Sequence, residues 1–230
     1  MEMMEEVTIV GMGALGILYG DILSKGLGAD KVRFLADGAR LARYRREGAW
    51  HNGAPCDFRF TDGSDGPAQL LIFATKGPAL EEAMALAAPC VGEDTVILSL
   101  LNGVTSEEKL GLAFGQEKVL YAVAQGMDAV REGNRLTCTH EGVLYLGVPQ
   151  EDYFDRGEKL EEAYQLLRRG GVNVEKEEDI LHRLWCKFML NVGINQVCMA
   201  YECDYGGAQV PGQVRDTMIA AMNEARKVGA

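Results

Sequence analysis

Three polar residues interrupt an apolar stretch near the C-terminal end of the chain. Lys187, Asn191 and Asn195 lie within Trp185-Cys186-Lys187-Phe188-Met189-Leu190-Asn191-Val192-Gly193-Ile194-Asn195, spaced i, i+4 and i+8. On an α-helix each four-residue step advances about 40°, so the three would share an arc of about 80°. A cation and two amides in so apolar a helix call for polar partners or a wet cleft. Near the other end stands a G-x-G-x-x-G series, Gly11-Met12-Gly13-Ala14-Leu15-Gly16. In such a series Gly11 allows a sharp turn after a strand. Gly13 lets the backbone approach a pyrophosphate, and Gly16 lets a helix pack closely on a sheet. The helix that follows offers free N–H groups and a positive dipole end to phosphates. Asp37 lies 21 residues after Gly16, where a carboxylate can accept hydrogen bonds from the ribose hydroxyls of a dinucleotide. That favours NAD and repels a 2′-phosphate. Arg40 and Arg43 stand on the next turn and could pair with that phosphate, so these residues leave NAD and NADP both open.

These residues need elements to hold them. Val7–Val10 reads as a buried strand leading directly into the glycine series, with a helix from Ile17 to Lys25 and a second strand, Lys31–Ala36, ending at Asp37. That is a βαβ unit. A polar helix follows at Arg40–Glu47, then turn-rich sequence through Gly66. Leu70–Ala74 and Thr95–Leu100 are continuous apolar runs, as expected of strands buried on both faces of a parallel sheet, with a helix over Ala79–Ala88 between them. Lys76 and the Asn102-Gly103 pair follow those two strands, at the edge where ligands bind in open α/β sheets. Further strands are expected at Val119–Ala124, Val143–Gly147 and Val172–Val174, and helices at Glu158–Arg169 and Ile180–Met199. The alternation predicts a Rossmann-type doubly wound parallel sheet over residues 1–178, followed by a partial all-helical domain over 179–230 with Gly206–Gly212 as a loop inside it.

Composition excludes other classes. The chain has 230 residues with 47% hydrophobic and 25% charged, and carries a formal net charge of −11. The acidic balance argues against a nucleic-acid partner and against anionic membrane surfaces. No apolar run approaches the length of a membrane span. The N-terminus is acidic where a signal peptide would be basic, which suits a cytoplasmic protein. Six cysteines show no C-x-x-C pair, and three histidines do not cluster. No metal site is expected, and the thiols read as free and mostly buried. Glycine, at 28 residues, exceeds ordinary usage and points to tight turns and close backbone approaches.

G-M-G-A-L-G after a leading strand, F-L-A-D-G-A-R-L-A-R-Y-R-R-E-G, A-T-K-G, L-L-N-G-V and L-W-C-K-F-M-L-N-V-G-I-N together resemble the ketopantoate reductase (2-dehydropantoate 2-reductase) family across essentially the whole chain. The resemblance implies an NADPH-binding Rossmann domain and a helical domain for substrate binding and dimerisation, so a homodimer is one expectation. It makes Lys187 the catalytic lysine and Asn102, Asn191 and Asn195 substrate contacts. Gly11, Met12, Gly13, Ala14, Leu15, Gly16, Asp37, Arg40, Lys76 and Asn102 become cofactor contacts. Glu224, in M-N-E-A-R-K-V-G-A, resembles a recurring helical glutamate of the second domain. Asp37 stands where NADPH-using members often carry arginine, which keeps NAD(H) open. Family members continue through further helices that supply a serine and an acidic residue. The chain is therefore read as shortened at its C-terminal end, with an incomplete cleft. The implied reaction is reduction of 2-dehydropantoate to pantoate, in pantothenate and coenzyme A biosynthesis. Hydride reaches the C2 carbonyl of a small 2-oxo acid while Lys187 donates a proton and offsets developing charge. Two alternatives remain: a paralogue acting on another 2-oxo acid, and a dinucleotide-binding module without turnover.

Overall fold

The computed structural model describes residues 3–229. The chain divides into two compact units, Met1–Ile180 and Leu181–Ala230. The first opens with β1 (Val7–Val10), buried along its whole length. The glycine series follows, then α1 (Ala14–Leu27), β2 (Val32–Leu35) and α2 (Gly38–Glu47). α1 starts inside the glycine series, ahead of the expected Ile17, because Gly13 takes the N-cap position. The stretch expected only as turns contains three short strands, β3 (Trp50–His51), β4 (Ala54–Pro55) and β5 (Arg59–Thr61). Next come β6 (Leu70–Phe73), α3 (Leu80–Ala87), β7 (Val96–Ser99), α4 (Ser106–Phe114) and β8 (Val119–Gln125). A hairpin of β9 (Val130–Glu132) and β10 (Arg135–Thr137) leads to β11 (Val143–Gly147), α5 (Tyr153–Arg169) and β12 (Val174–Lys176).

The main sheet has the order β12-β11-β8-β7-β6-β1-β2-β5. Every neighbouring pair from β5 to β8 is parallel. β11 then runs antiparallel to β8, with β12 parallel to β11. The parallel doubly wound sheet expected from the sequence is thus extended by a reversed pair of strands. Its apolar runs are continuous because successive side chains feed two cores. Ile9, Ile72 and Leu98 belong to the core that includes Leu18 and Leu23 of α1 and Leu166 of α5. Val10, Leu71, Phe73 and Ile97 belong to the core that includes Leu80 and Ala83 of α3 and Leu110 of α4.

A second sheet, β4-β3-β10-β9, was not legible from the sequence. His51 of β3 places Nδ1 2.6 Å from Asp21 Oδ2 of α1, both side chains buried, and Lys25 Nζ reaches the same oxygen at 2.6 Å. The thiols are free, but only Cys90 and Cys138 are buried, and Cys186 is exposed. Burial pushes the Cys56 thiol up to about 12.

The second unit contains helices and connecting turns, with no strand among its described residues. α6 (Ile180–Leu190) opens at the boundary and runs into a π-helical turn, Asn191–Asn195, then α7 (Gln196–Ala200) and α8 (Gln213–Val228). The single helix expected to Met199 is therefore broken by a change of helical type. Among the described residues no helix is long and apolar enough to cross a membrane, and no group of His, Cys, Asp and Glu could hold a metal ion.

Leu98 is 0% exposed at the centre of the sheet. Leu98→Ala should destabilise the first unit by about 2–5 kcal/mol. Urea unfolding should show this as a lower midpoint at unchanged slope.

Candidate functional site

The carboxyl ends of β1, β2, β6 and β7 form one edge of the sheet, because the four strands are parallel. From β1 the chain adds β2 and then β5 on one side, and then crosses back to add β6 on the other side of β1. The crevice above β1 and β6 is thus the switch point where such sheets take ligands. Gly11 leaves β1 at a φ of +102°, in the left-handed region, and a Cβ there would sit 2.7 Å from the Ala74 carbonyl oxygen. A Cβ on Gly13 would sit 3.3 Å from the same oxygen. On Gly16 it would sit 2.0 Å from the carbonyl oxygen of Gly11. The three glycines are what lets the turn lie against the segment after β6.

No side chain caps α1, so its first-turn amides have no side-chain partner. Met12 is buried and belongs to the core, and Ala14 and Leu15 pack against it. The Met12 side chain is thus withdrawn into the core, while Ala14 and Leu15 are partly buried. Thr75 Oγ1, directly after Ala74, is buried without a hydrogen-bond partner among the described residues. A glycine cradle, uncapped amides and an orphaned hydroxyl fit the pyrophosphate of a dinucleotide.

Asp37 ends β2 at the N-cap position of α2, exposed and without a capping bond from its side chain. Arg40, on the first turn of α2, is engaged: its Nη2 lies 2.8 Å from Glu82 Oε1 of α3. Arg43 lies over the Tyr44 ring, 5.5 Å from its centroid. Lys76 is exposed just past β6. Asn102 is exposed just past β7, and Gly103 beside it turns at a φ of +116°.

The loop carrying Asn102 is fixed from below by residues that sequence reasoning missed. Ser99 Oγ lies 2.7 Å from Ser106 Oγ and accepts the Leu101 amide at 3.3 Å. Ser106 donates in turn to Glu107 Oε2 at 2.9 Å, with Glu107 buried. Only the polar residues closing a buried strand hinted at this network. A cleft of about 570 Å³ opens at the opposite end of the strands, beside Glu93, Asp94, Glu158 and Glu162. Its acidic lining does not suit an anionic dinucleotide.

In the second unit Lys187 stands on the last turn of α6, and Asn191 and Asn195 bound the π-helical turn. The sequence expected a continuous α-helix here. The wider turn still keeps the amides adjacent, Asn195 Nδ2 donating to Asn191 Oδ1 at 3.3 Å. Gly193 sits between them, two positions from each, and is buried. A Cβ on it would meet Met222 Cγ at 2.2 Å and the Met218 carbonyl oxygen at 3.3 Å. Its absence lets α8 lie directly behind the π turn, which leaves the two amides on the opposite face. Glu224 is exposed two positions beyond Met222 and points off the face of α8 that packs on this turn. A further residue, Tyr205, was not singled out from the sequence. Its hydroxyl donates to Asn195 Oδ1 at 2.5 Å.

A parallel α/β sheet with a glycine cradle at its switch point, followed by a helical unit, defines a two-part dinucleotide-binding protein of the Rossmann type. Comparison with known proteins narrows this. The family model described as ketopantoate reductase PanE/ApbA matches residues 7–151, and that of the ketopantoate reductase PanE/ApbA C terminal matches 179–230. The chain belongs to the ketopantoate reductase family. It is 25% identical over 227 residues to the 2-dehydropantoate 2-reductase of Pyrococcus horikoshii, covering 97% of this chain and 73% of that one. The fold matches the crystal structure of 2-dehydropantoate 2-reductase from Geobacter metallireducens GS-15 with a TM-score of 0.80 at 24% identity, over 97% and 75% of the two chains. It also matches D-mandelate dehydrogenase, in a ternary structure with NADH and anilino(oxo)acetate, with a TM-score of 0.83 at 20% identity over 97% and 73%.

Gly16→Ala tests the cradle. The new methyl would collide with the backbone of Gly11, at a cost of about 1–3 kcal/mol. Displacing the first turn of α1 should weaken dinucleotide binding at least about tenfold, read by cofactor fluorescence titration.

Proposed function

We propose that the protein reduces 2-dehydropantoate to pantoate with NADPH. The observation that carries this reading is the Lys187–Asn191–Asn195 stripe in a chain of this family. When bound, the nicotinamide supplies the hydride. Gly11, Gly13 and Gly16 admit the pyrophosphate, and the backbone amides at Met12, Ala14 and Leu15 hold it. Asp37 and Arg40 lie where the adenosine ribose would rest, and Lys76 and Asn102 border the reacting end. Lys187 donates a proton to the C2 oxygen and offsets the charge that develops there. Asn191 and Asn195 hold the carboxylate and hydroxyl of the substrate, so that the carbonyl is positioned before reaction.

A second reading of the substrate has support in the fold. D-mandelate dehydrogenase shares it, so the fold by itself does not select among 2-oxo acids. A second reading of the cofactor rests on the ribose end. Asp37 is available as an acceptor, and Arg40 is held by Glu82, which favours NADH.

Reduction of 2-dehydropantoate, followed by the loss of NADPH absorbance, should exceed reduction of other 2-oxo acids. A faster rate with another 2-oxo acid would replace the substrate, and cofactor binding with no turnover of any would leave a binding module. Lys187→Ala should lower kcat by about 10²–10⁴-fold while leaving NADPH affinity unchanged. Full activity in that variant would remove Lys187 from the reaction. Glu82→Ala should release Arg40 and lower the KM for NADPH by up to about fivefold, the worth of an exposed ion pair. The KM for NADH should stay the same.

A further inference from the structure

An asparagine side chain presents a donor end and an acceptor end of nearly equal shape, so its partners decide which faces outward. The asparagine pair of the second unit has such partners on one side only. The Tyr205 hydroxyl donates to Asn195 Oδ1 at 2.5 Å, and Asn195 Nδ2 donates to Asn191 Oδ1 at 3.3 Å. Both amide oxygens thus accept from within the chain. Among the described residues, one N–H of Asn195 and both N–H groups of Asn191 stay unspent.

We infer that Tyr205 is a positioning residue that fixes the polarity of the Asn195–Asn191 pair, making this face a donor surface for the acceptor oxygens of a carboxylate or ketone. The inference deepens the proposed 2-oxo acid reading and rests on it for the substrate class. A substrate that needs acceptors from the protein, such as a polyol or an ammonium compound, would be disfavoured on such a face.

The segment bearing Tyr205 is built to hold its hydroxyl in place. Glu202 turns the chain after α7 at a φ of 51°. The Cys203 amide donates back to the Cys198 carbonyl at 3.1 Å. Asp204 Oδ1 accepts the Gly207 amide at 2.7 Å, and Gln209 Nε2 donates to the Tyr205 carbonyl at 3.1 Å. Tyr201 Oη, 3.2 Å from Thr217 Oγ1, ties the segment to α8. Tyr205 itself is 56% exposed, and Asn195 is exposed too. A hydrogen bond so open to water adds little to folding. Orientation is what it supplies.

A double-mutant cycle in the full chain tests this, using Tyr205→Phe and Asn195→Ala with 2-dehydropantoate and NADPH as probes. Tyr205→Phe should raise the KM for the oxo acid about tenfold, change kcat less than about twofold and leave NADPH affinity unaltered. Melting should shift by less than about 2 °C. In the Asn195→Ala background the same substitution should have no further effect, since the residue it acts through is gone. Additive effects of the two substitutions would overturn the inference. A second arm needs no activity. In ¹⁵N–¹H spectra, with side-chain amides assigned through Asn→Asp variants, Tyr205→Phe should move the signals of both Asn195 and Asn191, although Tyr205 bonds only the first. Unmoved Asn191 signals would overturn the relay even in an active enzyme. If the wild-type chain reduces no 2-oxo acid while both signals move, the relay stands and the proposed function falls.

Discussion

A Cβ on residue 16 would lie 2.0 Å from the carbonyl oxygen of Gly11, and the geometry of the ligand edge follows from that closeness. It brings the first turn of α1 onto the end of β1, so that the Ile17 amide bonds the Gly13 carbonyl at 2.9 Å and the helix begins within the turn itself. It also brings the turn against Ala74, at the end of β6. With the backbone pressed from both sides, the side chains of the series must go elsewhere. Met12 enters the core, and Ala14 and Leu15 pack on it. The result is a turn with Met12 in the core and no side chain capping the first-turn amides of α1, an arrangement by which a helix end can take an anion without a charged side chain.

The second unit repeats the device with a different outcome. Gly193 replaces a side chain that would collide with Met222, and α8 backs the helix at the one position where the helix widens. A π turn has poorer hydrogen-bond geometry than the α-helix around it and survives where packing holds it. Here the contact with α8 occupies one side, and Asn191 and Asn195 emerge on the other. A regular α-helix would also align them roughly. Residues four apart are neighbours on an α-helix too, and the Asn195–Asn191 contact at 3.3 Å persists through the change of helical type.

How much of this was written in the sequence depends on the length of the signal. β1, β6 and β7 announce themselves because burial on both faces demands unbroken apolar runs, and the glycine series announces itself because backbone contact demands the missing Cβ. Strands of two or three residues, such as β3, β4, β9 and β10, are too short for an alternation to register, so the sequence shows only turns at β3 and β4 and no element at β9 and β10. The reversal at β11 has no periodic signature, because a strand reads the same in either direction. Lys187, Asn191 and Asn195 were visible as polar residues on one apolar face. Tyr205 was invisible, since it reaches Asn195 through a loop, and loop geometry is set by bonds such as Asp204 to Gly207 that spacing alone does not disclose.

An acidic chain that takes an anionic cofactor must separate its net charge from its local field. With a net charge of −11, the long-range potential opposes a dinucleotide, yet helix dipoles act only within a turn of their ends. The placement of acids decides which ends stay available. α3 carries Glu81 and Glu82 in its first turn, α4 carries Glu107 and Glu108, and α5 carries Asp155. Each of those dipoles is answered by the helix's own carboxylates. α1 and α2 carry no acid in their first turns, and the acid nearest along α1, Asp21, is buried against Lys25 and His51. Among the α-helices of the first unit, α1 and α2 are therefore the two without a first-turn acid, at the carboxyl edge of β1 and β2. Asp37 at the N-cap of α2 is the exception, and its position is consistent with a carboxylate meant for hydroxyls. Glu82 serves two ends at once, answering the dipole of α3 and pairing with Arg40 of α2. Any anion approaching the start of α2 would thus compete with Glu82 for Arg40, and an exposed ion pair of this kind is worth little more than about 1 kcal/mol.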